Sequence, residues 1–344
     1  PSAQAEGALC SCPVTAEALT GALHALAQQG IEPFGMYVTS PDYLGGVQDI
    51  PAMAAVCRAQ GVPLLVDNAH GAYLRFLPQN CHPIAQGAAM CCDSAHKTLP
   101  VITGGAYLHL AHDAPVQDEA AVRGALALFG STSPSYLILQ SLDVCNAVLA
   151  GDYPRRLAQC CAALEGLRRS LNKAAAARQC PLPLAVAGAQ QEPMKLTLDA
   201  AALGCTGIAL AESLRRAQME CEYADPRYVV LMFTPENPPQ DYTRLQTALE
   251  QLLAAVPAGL PRPENRAGEF AALQQQAVQR CTIRQAVLGA QVRVPVHKAL
   301  GRVCAMPTVS CPPAIPVAVS GEEITPAAIA LMQRYGIEEL SVLR

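Results

Sequence analysis

The chain reads as an α/β protein, with a large unit on a mainly parallel sheet and a smaller α/β unit after it. Three observations carry this reading. Residues 34–66 hold a strand, a helix and a second strand in succession, the pattern of a crossover between parallel strands. The second of these strands is an unbroken apolar run, Val62 to Val66, that ends in a carboxylate, Asp67. A long apolar helix from Ser135 to about Ala150 follows, after which strand and helix patterns resume.

Taken in order, Val14 to Gln29 is predicted as a helix with Thr15 as its cap and Leu19, Leu23 and Leu26 on one face. Gly30 ends it, and Phe34 to Val38 is a short strand. Val47 to Gln60 is a second helix with Pro51 near its start, and Val62 to Val66 completes the crossover. Strands are expected at Ala88 to Asp93 and Gly105 to Leu110, with a turn between them. Pro115 to Leu128 reads as a helix, and Ser131-Thr132-Ser133-Pro134 as the cap of the apolar helix. Arg155 to Ala177 is amphipathic, with Arg168-Arg169 on its solvated face. Strands at Leu182 to Ala187, Met194 to Leu198 and Tyr228 to Phe233, with helices at Thr206 to Gln218 and Asp241 to Ala255, form the smaller unit. Pro257 to Pro263 is the clearest linker. The expected division is residues 1–152, 153–260 and 261–344.

Composition narrows the function. At 344 residues with a formal charge of -4, the chain has room for more than one core and no basic footprint for nucleic acid. No run of about eighteen apolar residues is present, as a membrane-spanning helix would need, and nothing resembles a secretory leader. The expectation is a soluble, cytoplasmic protein. The 15 cysteines are odd in number, and Cys91-Cys92, Cys160-Cys161 and Cys10-Ser11-Cys12 lack Cys-x-x-Cys spacing. They read as reduced, buried small hydrophobes, with no metal site expected.

Chemistry concentrates in two stretches. Ser94-Ala95-His96-Lys97-Thr98-Leu99-Pro100, followed by Gly104-Gly105, holds a lysine between a hydroxyl, an imidazole and glycines. Thirty residues before Lys97, Asp67 ends a strand and is followed by Asn68-Ala69-His70-Gly71. In open α/β sheets, ligands bind beyond the carboxyl ends of strands. An amine on one strand end and an acid on the next fit pyridoxal phosphate, which needs a lysine for its aldehyde and an acid to keep its ring nitrogen protonated.

These residues, with Thr103-Gly104-Gly105-Ala106, Thr39-Ser40-Pro41-Asp42-Tyr43, Gly130 to Tyr136, Asp225-Pro226-Arg227-Tyr228 and the tail Cys311-Pro312-Pro313-Ala314-Ile315-Pro316, resemble the ornithine/lysine/arginine decarboxylase family. The resemblance covers nearly the whole chain. It implies fold type I, aspartate aminotransferase-like, with a large cofactor domain, a smaller C-terminal α/β domain and the family's C-terminal extension. It implies decarboxylation of lysine, arginine or ornithine through a Lys97 Schiff base, with Asp67 on the ring nitrogen and Ala69 against the ring. Ser94 and His96 are then expected at the phosphate. Thr132 is expected to reach the phosphate of a second subunit in a homodimer or higher oligomer, although an ordinary helix cap explains the same residue. His70 reads equally as a structural histidine or a neighbour of the cofactor. His109 and His112 are expected at a strand end without chemistry.

Two features qualify the resemblance. Ala314 stands where the family commonly has glycine. The family's N-terminal segment, which carries a phosphate-binding helix start and a histidine that stacks on the ring, is not visible in this sequence. Two alternatives therefore stay open: another fold type I reaction, such as transamination or lyase chemistry, and a noncatalytic fragment or scaffold. Glu322 and Glu323 read as an exposed cap or as a contact for a cationic substrate end.

Overall fold

Four short strands build the sheet that carries the candidate residues. β1 (Met36–Thr39), β2 (Leu64–Asp67) and β3 (Met90–Asp93) run parallel, and β4 (Tyr107–Leu110) lies antiparallel beside β3. The computed structural model describes residues 14–180, 184–186, 190–257, 273, 275–307 and 315–344. The predicted crossover is present: α2 (Ile50–Ala59) connects β1 to β2, and α1 (Ala16–Gln28) precedes them. Thr15 and Asp49 cap the two helices by accepting from Ala18 N and Ala52 N, each at 3.1 Å. Leu19, Leu23, Ile50, Met53 and Cys57 pack on Val38, Leu64 and Val66 in one buried cluster. Each large apolar side chain buried there contributes roughly 1.5–3 kcal/mol against about 0.5–2 kcal/mol for a cap, so the cluster as a whole outweighs the two caps and packing holds the layer.

Beyond β3 the chain makes a single helical turn, α3 (Ala95–Thr98), where the sequence suggests only a turn. α4 (Glu119–Ala127) and α5 (Tyr136–Ala150) follow β4. The predicted Ser131 to Pro134 cap is not formed: Ser135 is the N-cap residue of α5 and makes no side-chain capping bond, while Ser131 Oγ accepts from Ser133 N. Apolar side chains here face outward, with Phe129 93%, Tyr136 85% and Leu137 67% exposed. No described helix is long and apolar enough to cross a membrane.

The second sheet is antiparallel, in the order β5 (Lys195–Asp199), β7 (Tyr228–Met232), β6 (Tyr223–Ala224). It packs with α6 (Tyr153–Ala177), α7 (Gly207–Arg216) and α8 (Pro239–Ala255) around Leu164, Leu171, Leu196, Val229 and Leu249. Of the strand predicted at 182–187 the described part forms one bridge from Ala185 to Leu198, with Val186 N donating to Thr197 and Asp199 N to Leu184, while Asn172 of α6 satisfies both outward backbone groups of Ala185. The third sheet is β8 (Gln291–Pro295), β10 (Glu339–Leu343), β9 (Cys304–Met306), with α9 (Ile283–Leu288) and α10 (Pro326–Arg334). Of the predicted linker only Pro257 lies among the described residues, and of the proline-rich tail only Ile315 and Pro316; Ala314, Cys10 and Cys12 lie outside them. Glu323 pairs with Arg280, and Glu322 accepts from Val319 N.

One reading of α6 is corrected. Arg168 is not solvated but 5% exposed, and its guanidinium donates to the backbone carbonyls of Glu192, Pro193 and Lys195. Arg169 on the next position is exposed. Arg168 follows Leu167 at the edge of the helix's buried face, and the carbonyls of Glu192, Pro193 and Lys195 need a donor once buried. Replacing Arg168 by Leu leaves them unpaired. We expect a loss of about 2–4 kcal/mol in urea unfolding, and less than about 0.5 kcal/mol for Arg169→Leu.

Candidate active site

Because β2 and β3 are parallel and Asp67 registers with Cys92, both strands finish at the same end of the sheet. Asp67 is the last residue of β2, and Lys97 lies on the helical turn after β3. The carboxylate is half-buried and oriented by two donors: Ala69 N to Oδ1 at 3.1 Å, and the Tyr37 hydroxyl to Oδ2 at 3.0 Å. The amine of Lys97 lies on an exposed side chain, 3.3 Å from Nε2 of His70. Tyr37 escapes a reading by motif, because its role follows from a diagonal approach between β1 and β2 that needs the register.

His70 is buried, with its ring 4.8 Å from that of Tyr43 in an edge-on arrangement. Burial first, then the positive charges of Lys195, Lys97 and His96, push its pKa down to about 2. It is therefore a neutral imidazole that accepts from Lys97 at Nε2, with the proton assigned to Nδ1, which has no partner among the described residues. Lys195, a buried lysine of β5, donates to the carbonyls of Asp42 and Tyr43 at 3.1 and 3.2 Å. The sequence reading did not select Lys195.

The remaining predicted residues divide. His96 Nδ1 is 3.0 Å from the carbonyl of Gly105, which also accepts from His96 N, so the imidazole is anchored to the glycine pair. Gly104 has φ +102°, a backbone that side-chain-bearing residues rarely adopt, and a side chain at Gly105 would overlap Val101. Ser94 makes no capping bond in α3. Ala69 is half-buried beside Asp67. Thr132 lies on the exposed stretch before α5, and no described hydrogen bond joins it to Lys97 or Asp67. By their chemistry, an exposed amine and an oriented carboxylate at one sheet end fit pyridoxal phosphate.

A second cluster sits under the same strand ends. Asp93, 3% exposed, accepts at Oδ2 from His82 at 3.1 Å and His109 at 3.0 Å, and at Oδ1 from Asn68 at 2.8 Å and the Cys91 thiol at 3.3 Å. Burial opposes its charge, but the bonds from His109, His82 and Asn68 prevail and hold its pKa below the ordinary carboxylate range. His109 thus has a partner the sequence did not predict. It faces this cluster because Cys91 and His109 are register partners across β3 and β4.

The neutral His70 makes stability depend on pH. The unfolded imidazole takes up a proton below about pH 6.5, while the folded one does so only near its depressed value, so stability is intact above about 6.5 and falls as the pH drops below it. The slope expected from this residue is up to about 1.4 kcal/mol per pH unit. Urea midpoints measured from pH 7 to 5 should fall less steeply in His70→Asn; an unchanged slope would assign the loss to other groups.

The description "Orn/Lys/Arg decarboxylase, major domain" matches residues 7–191, more than half of the chain. An arginine decarboxylase of Bacillus subtilis is 28% identical over 298 residues, covering 85% of this chain and 59% of the relative, and the B. subtilis protein YaaO is 29% identical over 309 residues, covering 87% and 61%. The chain thus spans about 60% of the length of the curated relatives it matches. The Francisella novicida lysine decarboxylase superimposes with a TM-score of 0.69 at 18% identity, covering 95% of this chain and 60% of that one. A pyridoxamine-pyruvate aminotransferase from Mesorhizobium loti gives 0.55 at 18% identity over 71% of this chain and 64% of that one. The fold is that of the type I pyridoxal-phosphate enzymes, and the chain belongs to the Orn/Lys/Arg decarboxylase family.

Proposed function

We propose that the protein is a pyridoxal-phosphate-dependent decarboxylase that converts a basic amino acid to its amine and carbon dioxide. The observation that carries this reading is the placement of Lys97 and Asp67 at the ends of neighbouring parallel strands, with both groups accessible. The bound cofactor supplies an electron sink for the pair left on Cα when the carboxylate departs. Lys97 would hold the cofactor's aldehyde through its exposed amine. Asp67, aimed by Tyr37 and Ala69 N, would keep the ring nitrogen protonated. His70 accepts from the Lys97 amine and orients it. Ser94 and His96 would serve the phosphate, and Ala69 would face the ring.

Arginine is the first substrate to test, because the sequence relatives named for an activity are arginine decarboxylases; lysine and ornithine complete the panel. The exposed Phe129, Tyr136 and Leu137 support assembly as a homodimer or higher oligomer, with Thr132 contributed to the neighbouring subunit's site. A cytoplasmic role in polyamine formation is consistent with such a product.

Purified protein mixed with pyridoxal phosphate should develop a visible absorbance band that Lys97→Ala removes. Release of labelled carbon dioxide from arginine, lysine or ornithine should follow. Asp67→Asn should lower it by about 10²–10³-fold, the scale of losing one preorganised charge-stabilising group. A keto-acid product without amine would point instead to transamination, and no band with wild-type protein would oppose the enzyme reading.

A further inference from the structure

We infer that His82, Asp93 and His109 form a binding site for one transition-metal dication of the zinc class, with a further coordination position open to an adjoining cavity. Two imidazole nitrogens and one carboxylate oxygen are a donor set that such ions accept. Both Nε2 atoms converge on the same oxygen, Asp93 Oδ2, at 3.1 and 3.0 Å, and the three ligand atoms all lie within 4.8 Å of one another. An ion bonded at about 2.0–2.2 Å to each would set neighbouring ligands of a tetrahedral shell roughly 3.3 Å apart. For both histidine–aspartate pairs the required shift is a few tenths of an ångström.

The supporting contacts leave the right atoms available. Asn68 and Cys91 occupy Oδ1 of Asp93, which orients the carboxylate while Oδ2 faces the histidines. His82 and Asp93 are 5% and 3% exposed, and the three residues come from a loop, β3 and β4, so the donors are held by separate chain segments. All three line a cavity of about 600 Å³ that also presents Arg75, Asn80 and Asn146. Three protein ligands facing open space is the arrangement that leaves a metal one position for water or a small ligand. The ion replaces the two histidine-to-aspartate hydrogen bonds. Ligation through Nε2 of His82 moves that ring's proton to Nδ1, which gives up its contact with Ile84 N at 3.4 Å.

The test is a titration of the full chain, without cofactor, with Zn²⁺ by calorimetry and Co²⁺ by visible spectroscopy. One ion per chain is expected, with the intense cobalt bands of a four-coordinate site. His109→Gln should weaken binding by more than about a hundredfold, since loss of an outer partner alone costs about 10–100-fold. The His109 side chain is 38% exposed, so this variant should keep the wild-type circular dichroism spectrum; His24→Gln, outside the cluster, should bind as wild type. Folded wild-type protein that takes up no stoichiometric ion, or His109→Gln that binds as tightly as wild type, would overturn the site. Neither result bears on the decarboxylase reading, which is measured separately by carbon dioxide release.

Discussion

A buried carboxylate at the end of β3 organises this half of the molecule. Removing a carboxylate from water costs several kcal/mol unless donors replace the lost hydration. Asp93 meets that requirement with four side chains drawn from β2's exit, its own strand, the 80–83 loop and β4. The bond from Asn68 matters most for function, because Asn68 directly follows Asp67 while Asp93 directly precedes the Ser94 to Thr98 turn. Satisfying one buried anion thereby fixes the relative height of the acid and the amine.

The electrostatics around Lys97 follow a different logic. Lys195, Lys97 and His96 bring positive charge toward His70 near the strand ends. Burial decides the outcome by keeping that imidazole uncharged, which turns a prospective repulsion into a hydrogen bond. The loop after β1 completes this surrounding: Tyr43 presses its ring on His70 and donates its hydroxyl to Glu222 at 2.8 Å.

Much of this was legible in the sequence, for identifiable reasons. That Asp67 and Lys97 lie at one end of the sheet was legible because each follows an apolar run that forms a strand. The crossover 36–67 was readable because two short apolar runs flank a helical stretch with Pro51 near its start. Tyr37, Lys195 and the His82, Asp93, His109 group were not readable, since each depends on strand register or on a contact between distant segments. Arg168 was misplaced for a related reason: an arginine in a helical polar stripe looks solvated until the buried carbonyls of Glu192, Pro193 and Lys195 claim it. The α5 cap failed because a Ser/Thr-rich run offers several equivalent starts, and the one used, Ser135, is settled by backbone geometry alone.

Lys195 belongs to β5, yet its ammonium is gripped by the carbonyls of Asp42 and Tyr43, which belong to the loop leaving β1. The two sheets are therefore pinned at a point one aromatic ring away from His70. Any sliding of β5 against β1 must break two charge-assisted hydrogen bonds or drag Tyr43 with it, and with Tyr43 the imidazole that orients Lys97. The smaller sheet is in this sense a lever whose short arm ends at the amine.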